Sequence, residues 1–109
     1  MAVTDDDIAF ATELFGGLGD ITTRRMMGGL CLYSDGIIFA MLHSERGLML
    51  KCKGPVIAEI EAMGGERWTY RRDGSDKDTA MPYWSLPDAA LDDPDEAGRL
   101  GRMALAELR

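Results

Sequence analysis

At 109 residues the chain has the length of one domain, able to bury roughly 65% of its unfolded surface around one core without a disulfide or metal staple. Its 46% hydrophobic and 28% charged residues are ordinary for a globular protein and exclude a disordered or fibrous chain. The net charge of −7, from 12 basic and 19 acidic residues, repels phosphate backbones and argues against strong direct nucleic-acid binding.

Thr4 reads as a helix N-cap, with Asp7 three residues later completing a box-like pattern. Asp5, Asp6 and Asp7 suit the positive end of the helix dipole, so the acidic triplet needs no metal or partner. Ile8, Ala11, Leu14 and Phe15 share one helical face, and Gly16-Gly17 is expected to end the helix with left-handed geometry.

Strands follow. Residues 21–27 are rich in β-branched side chains, and Gly28-Gly29 suits a bulge or tight bend. Leu30–Ser34 is the next strand. Asp35-Gly36, flanked by apolar residues, is a strong hairpin signal. Ile37–Leu42 is almost continuously apolar, as an inner strand covered on both sides would be. After a turn at Glu45-Arg46-Gly47, Leu48, Leu50 and Cys52 alternate with Met49, Lys51 and Lys53; the first set should face the core and the second water.

Gly54-Pro55 breaks the sheet and Pro55 fits a first helical turn. Val56, Ile57, Ile60 and Met63 make an amphipathic face, which Gly64-Gly65 stops. Trp68–Arg72 is a strand, turned by Asp73-Gly74-Ser75 into Thr79–Ser85. Pro82 cannot donate to a ladder, so this strand should lie at an edge or carry a bulge. Asp93-Pro94-Asp95-Glu96 starts a last helix with a cap, a first-turn proline and an acid. Gly98 and Gly101 either weaken that helix or permit close packing. Short turns between strands imply antiparallel pairing. The expected architecture is a two-layer α+β domain: a mostly antiparallel sheet of about five or six strands with helices on one face.

Chemistry-bearing residues are sparse. The single histidine, His43, has no second metal ligand in a recognisable spacing. Cys31 sits in an apolar strand, Cys52 alternates onto the core face, and no C-x-x-C occurs, so both thiols are expected to be reduced. Thr4-Asp5-Asp6-Asp7 interrupts any leader-like apolar run, and no segment approaches the about 20 apolar residues of a membrane span. The cytoplasm is the expected compartment. No catalytic residue, cofactor or metal is expected. Eight methionines are a high count, read as flexible core filler or, at Met49, as an adaptable contact surface.

Charge is unevenly spread: residues 1–20 carry five acids and no base, residues 78–109 seven acids and three bases, and residues 21–77 nine bases and seven acids. Within the mildly basic middle, Lys51 and Lys53 share a strand face, Arg71 shares one with Thr69, and one of Arg24 and Arg25 must point away from the core. Arg24, Arg25, Lys51, Lys53 and Arg71 are therefore the candidate partner-binding residues, either as a basic patch on the open sheet face or as an ordinary solvated surface.

The stretch RRMMGGLCLYSDGIIFAML, residues 24–42, resembles the N-terminal domain of the TfoX/Sxy competence regulators, whose pattern is roughly R-x-M-F-G-G-x-G-x-Y-x-D-G-x-x-F-A. Arg24, Met26, Gly28, Gly29, Tyr33, Asp35, Gly36, Phe39 and Ala40 match it; Met27 replaces the usual Phe and Cys31 a frequent Gly. The likeness continues at Leu48–Lys51, at Trp68-Thr69-Tyr70 and at Met81-Pro82-Tyr83-Trp84-Ser85-Leu86-Pro87. The resemblance implies a YjbR-like, secretion-chaperone-like α+β fold and a cytoplasmic bacterial regulator. Better-known members act in inducing competence genes together with the cyclic-AMP receptor protein, and carry a second, C-terminal helical domain. The organisation expected here is a single such domain over residues 1–109, without that second domain.

The expected function is a non-enzymatic regulatory or adaptor domain that works through protein contacts, with a transcription factor such as the cyclic-AMP receptor protein, or a second copy in a homodimer, as partner. The alternative is a direct DNA-binding regulator using the basic sheet face. An enzyme is the third and least supported reading.

Overall fold

The structure, a computed structural model, describes residues 3–26, 29–71, 73, 74 and 76–109. Helix α1 (Asp5–Leu14) is followed by strands β1 (Ile21–Met26), β2 (Gly29–Ser34), β3 (Ile37–His43) and β4 (Gly47–Lys51). Helix α2 (Val56–Ala62), strands β5 (Arg67–Arg71) and β6 (Asp78–Ser85), a short helix α3 (Asp88–Leu91) and helix α4 (Pro94–Leu108) complete the chain. The strands form one six-stranded antiparallel sheet in the order β1-β2-β3-β4-β6-β5. The two-layer α+β architecture is the one expected from the sequence.

Local signals explain most boundaries. The Thr4 hydroxyl accepts from the Asp7 amide while the Asp7 carboxylate accepts from the Thr4 amide, a complete capping box. Asp93 caps α4 by accepting from the Asp95 and Glu96 amides, with Pro94 in the first turn. Gly101 is buried, and a methyl there would come within 2.5 Å of a Leu18 methyl, so close packing is the reason for glycine in α4.

Two local readings change, and one open alternative is decided. Gly16-Gly17 does not supply left-handed geometry: α1 closes at Phe15 with φ −101, and the positive φ falls later, at Gly19. Strand β6 is an inner strand, not an edge. Its pairing with β5 jumps from Arg67↔Trp84 to Thr69↔Ala80, so Pro82 sits in a bulge where no ladder donor is needed. The short helix α3 was not read from the sequence, since four residues carry no periodicity. Gly28 lies outside the described residues.

The core lies between the sheet and the helices. Leu30, Leu32, Ala40, Leu48, Leu50, Cys52, Trp84 and Leu86 point from the sheet into Ala11, Phe15, Val56, Ile60, Leu100 and Ala104. A register shift in the β2–β3 pairing leaves Phe39 as an extra residue, and it joins Ala40 on the helix side, where its ring meets Phe15 edge-on at 5.1 Å. Arg99 of α4 clasps Glu59 of α2 at 2.8 Å and Glu96 of its own helix at 2.8 Å.

Candidate functional site

Among the described residues the four helices pack on one face of the sheet and leave the other uncovered by helix, and strand alternation decides what stands there. The register aligns Arg24, Cys31, Met41, Met49 and Ser85 in one row across five strands. A neighbouring row pairs Tyr33 with Ile38, and another pairs Lys51 with Tyr83. His43 ends β3 on this face, and Trp68 and Tyr70, two residues apart on β5, both reach it.

Aromatic rings organise the face. Trp68 stands 5.3 Å from His43, 6.2 Å from Tyr70 and 6.4 Å from Tyr83, centroid to centroid. In a flat sheet β3 and β5, with β4 and β6 between them, would lie about 14 Å apart. Trp68 leans across that gap, and the Arg46 guanidinium of the β3–β4 turn donates to the Thr69 carbonyl, drawing the same two regions together. Met49, which lines one pocket with Trp68 and Arg46, is only 1% exposed. Tyr83 is buried beside it, and burial, with Cys31 and Tyr33 nearby, pushes its phenol up to about 12. Tyr70 and Met26 remain open, at 37% and 49% exposure.

The five predicted partner-binding residues do not form one patch. Arg24 and Lys51 stand on the open face, separated by β2 and β3. Arg25 points the other way: its guanidinium donates to the Val3 carbonyl and pairs with Asp5 at 3.3 Å, tying β1 to the start of α1. Arg71 alternates away from Tyr70 and pairs across the hairpin with Asp78 at 3.1 Å. Lys53 is exposed beyond the end of β4. Alternation within a strand places each residue on a face, but it does not say which strands are neighbours or which cations meet a carboxylate.

Met49 also departs from expectation. Its strand position correctly faces away from the helices, but the side chain is buried there, so the filler reading holds. His43 is a packed histidine: its Nδ1 accepts from the Glu45 amide while its ring meets Trp68. The residues that sequence reasoning missed are Trp68, Tyr70, Tyr83 and His43. The two-residue spacing of Trp68 and Tyr70 was a signal that they share a face; their meeting with His43 depends on the order of the strands.

The helix layer has the opposite character. Glu13 of α1 and Asp92 beside α4 border a cleft of about 310 Å³ that also takes in Phe10, Leu14, Leu91 and Pro94. The acidic ends of the sequence thus fold against one another, opposite the open face. Chemically, the open face offers rings and thioethers for apolar contact, with single cations, Arg24 and Lys51, standing apart on it. Among the described residues no helix is long and apolar enough to cross a membrane.

These features define a small two-layer α+β domain with an antiparallel sheet bare of helix on one face. Within that class, the family model of the TfoX N-terminal domain matches residues 13–108, nearly the whole chain, and the chain belongs to that family. No curated protein matches it. Membership suggests a competence or regulatory domain.

Proposed function

We propose that this chain is a non-enzymatic regulatory or adaptor domain of the TfoX N-terminal family, acting through protein contacts made on the helix-free sheet face. One observation carries the reading: Tyr70, Met26 and the half-buried Trp68 present apolar area on a face that also holds Arg24 and Lys51. Buried aromatic anchors with a charged rim are the usual composition of a protein-binding patch. The partner suggested by the family is a transcription factor such as the cyclic-AMP receptor protein.

Titration of the purified receptor protein against this domain tests the proposal. Binding should weaken at least about tenfold on Tyr70→Ala, the scale of an interface hot spot, and again on the pair Arg24→Glu and Lys51→Glu. Undiminished binding by all three substitutions in one folded chain would remove the open face from the interface.

The second reading, direct nucleic-acid binding, draws on the same combination of rings and cations, which is how single strands are held. The net charge of −7 opposes it. Duplex DNA at moderate salt should therefore bind no tighter than about 10⁻⁷ M; a specific, salt-dependent complex tighter than that would favour the DNA reading.

A further inference from the structure

The fold gathers four sulfur side chains on the open face. Cys31, Met41 and Met49 are successive cross-strand neighbours on β2, β3 and β4. Such neighbours have Cβ atoms about 4.5–5.5 Å apart, within easy reach of a methionine sulfur. Met26 comes from the fourth side. Its own partner across the ladder is Gly29, which has no side chain, so Met26 leans over that gap to Cys31. The Cys31 thiol donates to the Met26 thioether with the two sulfurs 3.2 Å apart.

The group is buried at its centre and reaches solvent through two side chains. Cys31 and Met49 are 0% and 1% exposed, Met41 is half-buried, and Met26, at 49% exposure, forms the solvent side. Met26 is also the most adaptable of these side chains, and its movement would open a route from water to Cys31.

The chemistry of this set selects the ion. Among the described residues no three of His, Cys, Asp and Glu converge, so a zinc- or magnesium-type donor set is not what the face offers. One thiolate with thioethers is the donor set preferred by Cu(I). Charge balance points the same way. A monovalent ion on one thiolate is neutral, which a water-excluded site tolerates. A divalent ion would leave a net positive charge beside Arg24, the cross-strand neighbour of Cys31.

We propose that Cys31, Met26 and Met41, backed by Met49, form a binding site for a soft monovalent cation, Cu(I). Binding exchanges the Cys31 S–H bond for an S–Cu(I) bond, releases one proton to water and changes no oxidation state. Burial raises the Cys31 thiol above its ordinary value, with Arg24 pulling it down. The proposal is independent of any protein partner.

The test is an anaerobic titration of the full chain with Cu(I) held by a chromophoric chelator. The expected result is one Cu(I) per chain, one proton released, and a near-ultraviolet thiolate-to-Cu(I) band. Cys31→Ser should abolish the band. Met26→Leu and Met41→Leu, which conserve volume, should keep it but weaken affinity by at least about tenfold, the scale on which even outer-shell partners act. Cys52→Ser, on the opposite face, should change nothing, because that thiol donates instead to the Leu50 carbonyl within the helix-side core. No uptake from the chelator, a band that survives Cys31→Ser or disappears with Cys52→Ser, or affinity indifferent to both methionine substitutions would each overturn the site. Should Cys31→Ser fail to fold by circular dichroism, the two methionine variants still decide.

Discussion

Gly36 and Gly65 are both glycines for a physical reason, and the reasons differ. At the β2–β3 turn both central residues have positive φ, +50 at Asp35 and +86 at Gly36, the geometry that lets a two-residue hairpin follow the twist of its strands. Asp35 tolerates it and adds a further anchor, since its carboxylate accepts from the Asp20 amide at 3.1 Å. A Cβ at Gly36 would meet no atom within 4 Å, so Gly36→Val should destabilise chiefly through backbone strain, by at least about 1 kcal/mol. Gly65 is the reverse case. An added methyl would lie 2.8 Å from the Ser85 carbonyl oxygen and 2.9 Å from that of Ile60, both backbone atoms with little freedom to retreat. Gly65→Ala should therefore cost about 1–3 kcal/mol as overpacking. Urea denaturation of the two variants checks both; an unchanged midpoint in either would contradict the corresponding geometry.

Among the elements, α4 shows how a cap and a packing face cooperate. Asp93 satisfies two of the amides that the first turn leaves without partners, while Ala97, Leu100 and Ala104 bury one stripe against the sheet. Asp93→Ala should lower stability by about 1 kcal/mol without altering the fold, and Asp93→Gly by less. Thermal melting with far-ultraviolet circular dichroism distinguishes this from a packing loss, which would be larger. Strand β6 shows an element whose place is decided by its neighbours. Pro82 left an edge or a bulge equally open, and the bulge prevails because β4 takes one side of β6 and β5 the other. Trp84 then falls on the helix side, where its indole N–H donates to Glu61 at 2.8 Å and the Arg67 guanidinium lies 4.7 Å over its ring. Tyr83 falls on the open side.

For the whole molecule, burial of ionisable groups fixes how stability responds to alkali. Burial pushes Cys52 from 9.0 up to about 12, with Glu61 adding to the effect, and Tyr83 from 10.0 up to about 12. Both groups are neutral when protonated. Unfolding therefore lets each ionise at its ordinary value, while the folded state keeps its proton until about pH 12. The stabilisation is complete below pH 9, begins to be lost through Cys52 as pH rises past 9.0, and steepens past 10.0 as Tyr83 joins. Each group adds a slope of up to about 1.4 kcal/mol per pH unit. Chemical denaturation between pH 8 and 11 should show this decline; a flat profile would mean that neither group stays protonated in the folded chain.

Much of the fold was legible because its signals are local. A capping box, an Asp-Gly turn, a first-turn proline and alternation along β4 each involve residues within a few positions of one another, and they placed the three longer helices, most strand limits and the buried row Leu48, Leu50 and Cys52. Composition and charge bounded the class, and the stretch from Arg24 to Ala40 carried the family. The tertiary structure alone decided what lies between strands distant in sequence. It placed β6 inside the sheet, turned Arg25 toward α1 and paired Arg71 with Asp78, so the predicted cations are dispersed. It also brought Trp68 against His43 and Met26 against Cys31. Alternation gives each side chain a face but carries no information about strand order, and a surface is made by neighbours across strands, not along them.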